Sequence, residues 1–226
     1  MRKLLLLSLL AMLSLVVKAQ GDTYWRLYPK VGVNLSKFPN DIIYVGFSDN
    51  KEQKTRYKQG LTAGAEVSCE HHALSASLGL MYSNRGTKYN DFTYEDATEQ
   101  ERVSGIQYTL HYLEMPLMVG YELAEGFKVK AGIQPGYLLK AKFMEDRITS
   151  EKLKEGQMKV VSTEDVDIEC TDLFKRFDFS IPIGISYEYS NVVIDARYVI
   201  GITDNSKYFK ARNSGFTFTV GYGFDL

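Results

Sequence analysis

The stretch Phe216–Leu226 alternates without a break. Phe216, Phe218, Val220, Tyr222, Phe224 and Leu226 are apolar or aromatic, and Thr217, Thr219, Gly221, Gly223 and Asp225 between them are small or polar. A period of two puts each set on its own face of a β-strand. The same period recurs over Trp25–Ser36, Tyr57–Cys69, Ala73–Ser83, Gln107–Leu123, Phe127–Lys142, Arg176–Tyr189 and Val192–Thr203, which predicts eight strands. Pro116 interrupts the fourth. It has no backbone donor, so a bulge or a weak rung is expected there.

The connections sort by length. Glu70-His71-His72, Ala124-Glu125-Gly126 and Ser190-Asn191 are tight, whereas 37–56, 84–106, 143–175 and 204–214 are long, and the two kinds alternate. Transmembrane barrels have short turns on the periplasmic side and long loops outside, with an even strand number. The expected fold is therefore all-β, an eight-stranded antiparallel up-and-down transmembrane β-barrel. The 143–175 link is long enough for another hairpin around Met158–Ser162, which leaves a ten-stranded count as the alternative; our reading is that it extends strands five and six above the membrane. The final strand closes the barrel between Val192–Thr203 and Trp25–Ser36.

One apolar face fits a soluble barrel with that face inside or a membrane barrel with it outside. The opposite face decides. It carries Lys30, Glu66, Glu114, Glu122, Lys128, Lys130, Asp178, Glu188, Asp195, Arg197 and Asp225, with Lys140 and Lys142 added by the same alternation. The signs nearly balance. In a narrow lumen these groups would pair, since an unpaired buried charge is costly. The lumen is thus expected to be plugged by a charge network. Tyr121, Phe127, Tyr187, Tyr189, Tyr222 and Phe224 would form the periplasmic aromatic girdle, and Tyr82, Tyr137, Phe177, Tyr198 and Phe216 the outer one.

The other end of the chain points to export. Met1-Arg2-Lys3 precedes an apolar run from Leu4 to Val17, and Val17-Lys18-Ala19 offers small residues at −3 and −1 of a cleavage site. This is a signal peptide over 1–19, too short to span a bilayer, which takes about 20 residues. No Cys follows it, so lipoprotein processing is not expected. The barrel domain then covers 20–226 in the outer membrane of a diderm bacterium. Loss of Arg2, Lys3 and Lys18 leaves 24 of the 27 basic residues against 28 acidic ones, a net charge of −4. Nucleic-acid binding calls for a basic footprint, so no such partner is expected. The 16 Tyr suit a membrane interface and the 18 Gly suit turns and a crowded interior.

Little in the chain carries chemistry. His71-His72 occupies a short turn without further ligands for a metal. His111 has the parity of the lipid-facing set, and no Ser is paired with it by any pattern. No catalytic, cofactor or metal site is expected. Cys69 and Cys170 fall at opposite ends of the barrel, beyond the reach of about 7 Å between Cα atoms that a disulfide needs, so two free thiols are expected.

The segments GVNLS (32–36), MYSNRGTKY (81–89), YLEMPLMVGYEL (112–123), AGIQPGYLLKAK (131–142), FDFSIPIGISYEY (177–189), DARYVIGITD (195–204) and the closing GYGF (221–224) resemble the PorT-like outer-membrane β-barrel family. The resemblance spans nearly the whole mature chain and implies the barrel architecture. The family's namesake is linked to protein secretion, but no functional motif carries that role over. The expected function is a non-enzymatic integral outer-membrane protein acting through extracellular loops or as an envelope or secretion-associated component. A narrow pore and a lipid-modifying enzyme are the alternatives. Expected partners are outer-membrane lipid, the barrel-assembly machinery reading Tyr222, Phe224 and Leu226, and an unknown protein or ligand at the loops.

Overall fold

The computed structural model describes residues 23–38, 55–95, 98–152, 158–208 and 211–226. The signal peptide expected over 1–19 lies outside them, as does the 51–54 part of the charged loop after the first strand. The described residues form twelve strands in one sheet: β1 (Thr23–Lys37), β2 (Thr55–His71), β3 (Leu74–Tyr89), β4 (Phe92–Glu95), β5 (Glu99–Glu114), β6 (Leu117–Ala124), β7 (Phe127–Lys152), β8 (Met158–Glu169), β9 (Phe177–Tyr189), β10 (Val192–Gly201), β11 (Ser214–Tyr222) and β12 (Phe224–Asp225). Every pairing is antiparallel. The sheet runs from β1 through β2 and β3 to β5 and β6, then β7, β9, β10 and β11, and β11 returns to β1 with Val31 opposite Val220 and Gly32 opposite Thr219.

Twelve differs from eight for identifiable reasons. Pro116 separates β5 from β6, yet both lie between β3 and β7. The register is the same on either side, with Glu114 opposite Gly136 and Leu117 opposite Ile133. Pro116 removes a rung and introduces no bulge, and its own carbonyl still accepts from Gly79 N at 2.9 Å. Gly223 likewise separates β11 from β12, and both pair β1. β4 pairs only β5, and β8 only β7. These two come from the long links. The hairpin anticipated near Met158 is thus real; β8 pairs the extended end of β7 on the same edge that β9 occupies nearer the tight turns, so β7 and β8 carry strands five and six beyond the ring.

Tight turns need unusual backbone angles. At Ser190-Asn191 both central residues have positive φ, 47° and 69°, the signature of the two-residue turn whose twist matches the flanking strands. Gly126 (φ +73°) supplies the same freedom between β6 and β7.

Burial runs opposite to that of a soluble barrel. Val31, Leu61 and Val220 are 64, 67 and 51 % exposed, while Lys30, Glu66 and Asp195 are 2, 2 and 1 % exposed. The aliphatic face is outside and the charged face inside. Rings meet on the outer surface at both ends, with Tyr198–Phe216 at 4.8 Å and Tyr137–Phe177 at 5.2 Å near the long links, and Tyr222–Phe224 at 4.9 Å near the tight turns.

One of the register shifts overturns expected faces, the one where β5 meets β7. Tyr112 is opposite Leu138 but His111 is opposite Lys140, so Leu139 is an extra residue on β7. A one-residue insertion swaps the faces beyond it. Leu138, before the insertion, keeps the inward face, and Ala141, beyond it, is buried as a consequence. Lys140 and Lys142, expected in the lumen, point outward and pair with Glu169 and Asp167 of β8 at 2.9 and 2.8 Å. Ala141, expected toward lipid, joins instead an apolar cluster with Phe38, Leu110, Tyr112, Leu138, Cys170, Phe174 and Ala211. This cluster lies at the long-link end.

Candidate functional site: the charged lumen

The inward side chains form three groups in the order of the strand register. In the middle group Lys30, Glu66, Asp195 and Arg197 are buried and Lys130 is partly so. Lys30 Nζ lies 2.5 Å from Glu66 Oε2 and 3.5 Å from Asp195 Oδ2. Arg197 reaches Glu66 Oε1 through Nη2 and Asp195 Oδ1 through Nε, both at 2.5 Å, and Lys130 Nζ is 3.4 Å from Asp195 Oδ2. Each carboxylate therefore faces two or more cations, which offsets the cost of removing these charges from water.

Glycine makes the room. Lys30 is flanked across the sheet by Gly64 and Gly221, Glu66 by Gly79, and Arg197 by Gly184. A Cβ on Gly221 would stand 2.7 Å from Lys30 Cγ, one on Gly79 would stand 2.8 Å from Glu66 Cγ, and one on Gly184 would stand 2.8 Å from Arg197 Cγ. Long charged side chains and absent ones alternate, so the ion pairs fit across the barrel interior.

At the tight-turn end, Arg26 contacts Glu188 and lies 2.8 Å from Asp225. The Tyr28 hydroxyl is 3.0 Å from Glu188 Oε2 and 3.2 Å from Glu70 Oε1, and Lys128 Nζ is 2.6 Å from Glu70 Oε2. Toward the long links, Arg85 Nε lies 2.7 Å from Glu114 Oε1, and Ser83 Oγ donates to Glu114 Oε2 at 2.8 Å. Near them Asp178 accepts from Thr203 Oγ1 at 2.6 Å, and Asn205 is 3.1 Å from the Tyr112 hydroxyl.

The residues expected in the lumen network therefore separate. Lys30, Glu66, Lys130, Asp195 and Arg197 come together in the middle. Lys128 and Glu188 belong to the tight-turn group, and Glu114 and Asp178 to the opposite one. Glu122 joins none of these ion pairs; it accepts from Gly126 N at 3.1 Å and holds the β6–β7 turn. Asp225, with its side chain 81 % exposed, is at the rim instead of inside. Arg26, Tyr28, Glu70 and Arg85 are additional members. Continuing the alternation from Lys30, Glu66 and Ser83 by one or two steps reaches all four. Met81 masks the polar parity just before Ser83 and Arg85, because it is an apolar side chain on the buried face.

Two cavities lie among these groups. One of about 20 Å3 is bordered by Glu66, Gln134, Arg197, Thr217 and Thr219; another of about 10 Å3 is bordered by Tyr28, Ser68, Glu70 and Lys128. A single water takes roughly 10–15 Å3 on this measure.

The remaining candidates lie apart. His111 stacks on Tyr82 with Nδ1 2.6 Å from its hydroxyl, away from the lumen groups. His71 and His72 meet at 4.3 Å in their turn, and no metal-sized cluster of His, Cys, Asp or Glu occurs among the described residues. Both cysteines are free, Cys69 beside Trp25 and Ala76 near the tight-turn end and Cys170 in the apolar cluster at the other. Burial pushes the Cys170 thiol up to about 11. Tyr222, Phe224 and Leu226 point outward on the closing strand, where Leu226 N still donates to Trp25 O at 2.9 Å.

A circuit of antiparallel strands with ion pairs inside and aliphatic and aromatic side chains outside is a membrane barrel, because the bilayer reverses which face is solvated by apolar groups. The family model described as "Outer membrane protein beta-barrel domain" matches residues 18–207, and the chain belongs to that family. It is an outer-membrane protein. Among solved structures the chain is similar to Neisserial surface protein A (NspA), with 11 % identity over 90 % of this chain and 100 % of that one at a TM-score of 0.43. It is also similar to Ail, the attachment invasion locus protein of Yersinia pestis in complex with a heparin analogue, with 13 % identity over 89 % of this chain and 98 % of that one at 0.40. A third is the outer membrane channel DcaP of Acinetobacter baumannii, with 10 % identity over 92 and 98 % at 0.26. No curated protein matches the chain.

Proposed function

We propose that this is a non-enzymatic, PorT-like outer-membrane barrel of eight crossing strands with a plugged lumen. It acts at its extracellular loops or as an envelope or secretion-associated component. The observation that carries the reading is the middle ion-pair group. Lys30, Glu66, Asp195 and Arg197 interlock across the lumen, and the cavity beside them measures only about 20 Å3. Eight crossing strands follow if β5 and β6 are one interrupted strand, β11 and β12 another, and β4 and β8 stand outside the ring. An eight-stranded barrel has an interior that side chains just fill.

With transport blocked, the parts left to meet a partner are those on the long-link side. There β8 exposes Val160, Val161 and Ile168. The partner is a protein or ligand whose identity only capture can supply. The leader is removed after Ala19, and Tyr222, Phe224 and Leu226 are read by the assembly machinery before the barrel enters lipid. Planar-bilayer recordings on the refolded mature chain test the plug. The expected trace shows no stable open level; a reproducible open channel would replace this reading with the pore. Edman sequencing of the protein from outer membranes should begin at Gln20.

A further inference from the structure

The cavity of about 20 Å3 has a wall that its own residues leave incomplete. Gln134, Thr217 and Thr219 are 4, 9 and 5 % exposed. Gln134 Nε2, Thr217 Oγ1 and Thr219 Oγ1 are all buried, and none has a hydrogen-bond partner among the described residues. Buried polar atoms are almost always paired, with protein or with ordered water. Gln134 comes from β7 and the two threonines from β11, with β9 and β10 between them in the sheet. Whatever satisfies these atoms has to bridge the lumen.

Charge and size restrict the ligand. The cavity is bordered by Arg197 paired with Glu66 and by Arg85 paired with Glu114, two cations against two anions. This gives no excess of either sign to hold an ion. The Gln134 amide nitrogen only donates, and each threonine hydroxyl both donates and accepts. The ligand must therefore accept at least one hydrogen bond, and each threonine hydroxyl can either donate to it or accept from it. The volume is enough for one water and for nothing larger. The neighbouring cavity of about 10 Å3 differs: it is at the lower limit of size, and its Tyr28, Glu70 and Lys128 are bonded to one another.

We infer that the lumen contains a built site for one ordered water, which accepts from Gln134 Nε2 and bonds the Thr217 and Thr219 hydroxyls, tying β7 to β11 between the two buried ion-pair groups. The inference rests on the plugged-lumen reading, since only a closed lumen holds a water for long.

Oxygen-17 relaxation dispersion on the refolded mature chain in micelles counts long-lived waters, and water-to-methyl cross-peaks locate them at Thr217 and Thr219. Wild type should show the cross-peaks at both methyls. The isosteric variant Thr217→Val/Thr219→Val should lose one long-lived water, and Gln134→Leu should lose the cross-peaks at both threonine methyls while keeping the folded-barrel electrophoretic mobility. An unchanged water count in both variants overturns the site, as does the absence of cross-peaks in wild type with a silent bilayer trace. Cross-peaks that vanish with added chloride overturn it in favour of an ion. An open channel in bilayers, with water contacts spread along Lys30 and Asp195, overturns the plugged-lumen reading itself.

Discussion

Glu66 holds one cation with each oxygen, Lys30 on Oε2 and Arg197 on Oε1, and is 2 % exposed. Its removal leaves both bases buried against Asp195 alone. Glu66→Leu should destabilise the barrel by about 3–5 kcal/mol, the usual effect of breaking a buried pair from one side. Adding Lys30→Met should recover part of that loss, because the uncompensated charge goes with it. A double-mutant cycle by urea titration in lipid vesicles measures this coupling, and strictly additive losses would show that the two residues are independent. On the opposite face, Val220 is 51 % exposed toward lipid. Val220→Arg should cost about 2–4 kcal/mol if it sits at the midplane and progressively less toward either interface. The same vesicle titration reads it, and a neutral result would put Val220 near the edge of the hydrocarbon band. Both residues were legible from alternation alone, because the period of two places each on a face whatever the strand's neighbours are.

Strand pairing decides matters that alternation leaves open. Gly79 is placed by its neighbours: an added side chain meets Glu66 Cγ at 2.8 Å and Pro116 Cγ at 2.9 Å. Gly79→Val should therefore cost about 1–3 kcal/mol through overpacking, and should do so less when Glu66 is shortened to Asp. Comparing unfolding midpoints in the two backgrounds checks this. From sequence Gly79 is one of many small residues on the polar face; that it opposes Glu66 depends on the β2–β3 register. The extra residue at Leu139 shows the same limit. Nothing in YLLKAK marks where the ladder slips, so the continued period puts Lys140 and Lys142 inside, whereas the pairing with β5 turns them outward. Pro116 was readable in kind but not in effect. Its missing donor removes a rung, while the ladders on both sides hold the register.

The molecule as a whole divides into a ring and its outworks. β8 bonds only to the end of β7, and β4 only to β5. Replacing 145–167 by a short turn should leave refolding into vesicles and heat-modifiable mobility of the barrel unchanged, and should abolish capture of any partner that the loops recruit. Loss of folding would show that this hairpin stabilises the ring. The apolar cluster of Phe38, Leu110, Tyr112, Leu138 and Phe174 at that end also belongs to this scale. Phe38 and Phe174 come from links that have no period, and they meet Leu110, Tyr112 and Leu138 on the buried face of β5 and β7, so no local pattern announces the cluster.

The sequence by itself determined the all-β antiparallel character, the inside-out character and the compartment. These depend on which residues alternate and where the loops are long, and both are local properties of the chain. Only the tertiary structure decided which charges pair, that Asp225 lies at the rim and Glu122 in a turn, and that Arg85 completes Glu114. Those outcomes depend on the register between strands far apart in the chain, where a shift of one residue exchanges the two faces.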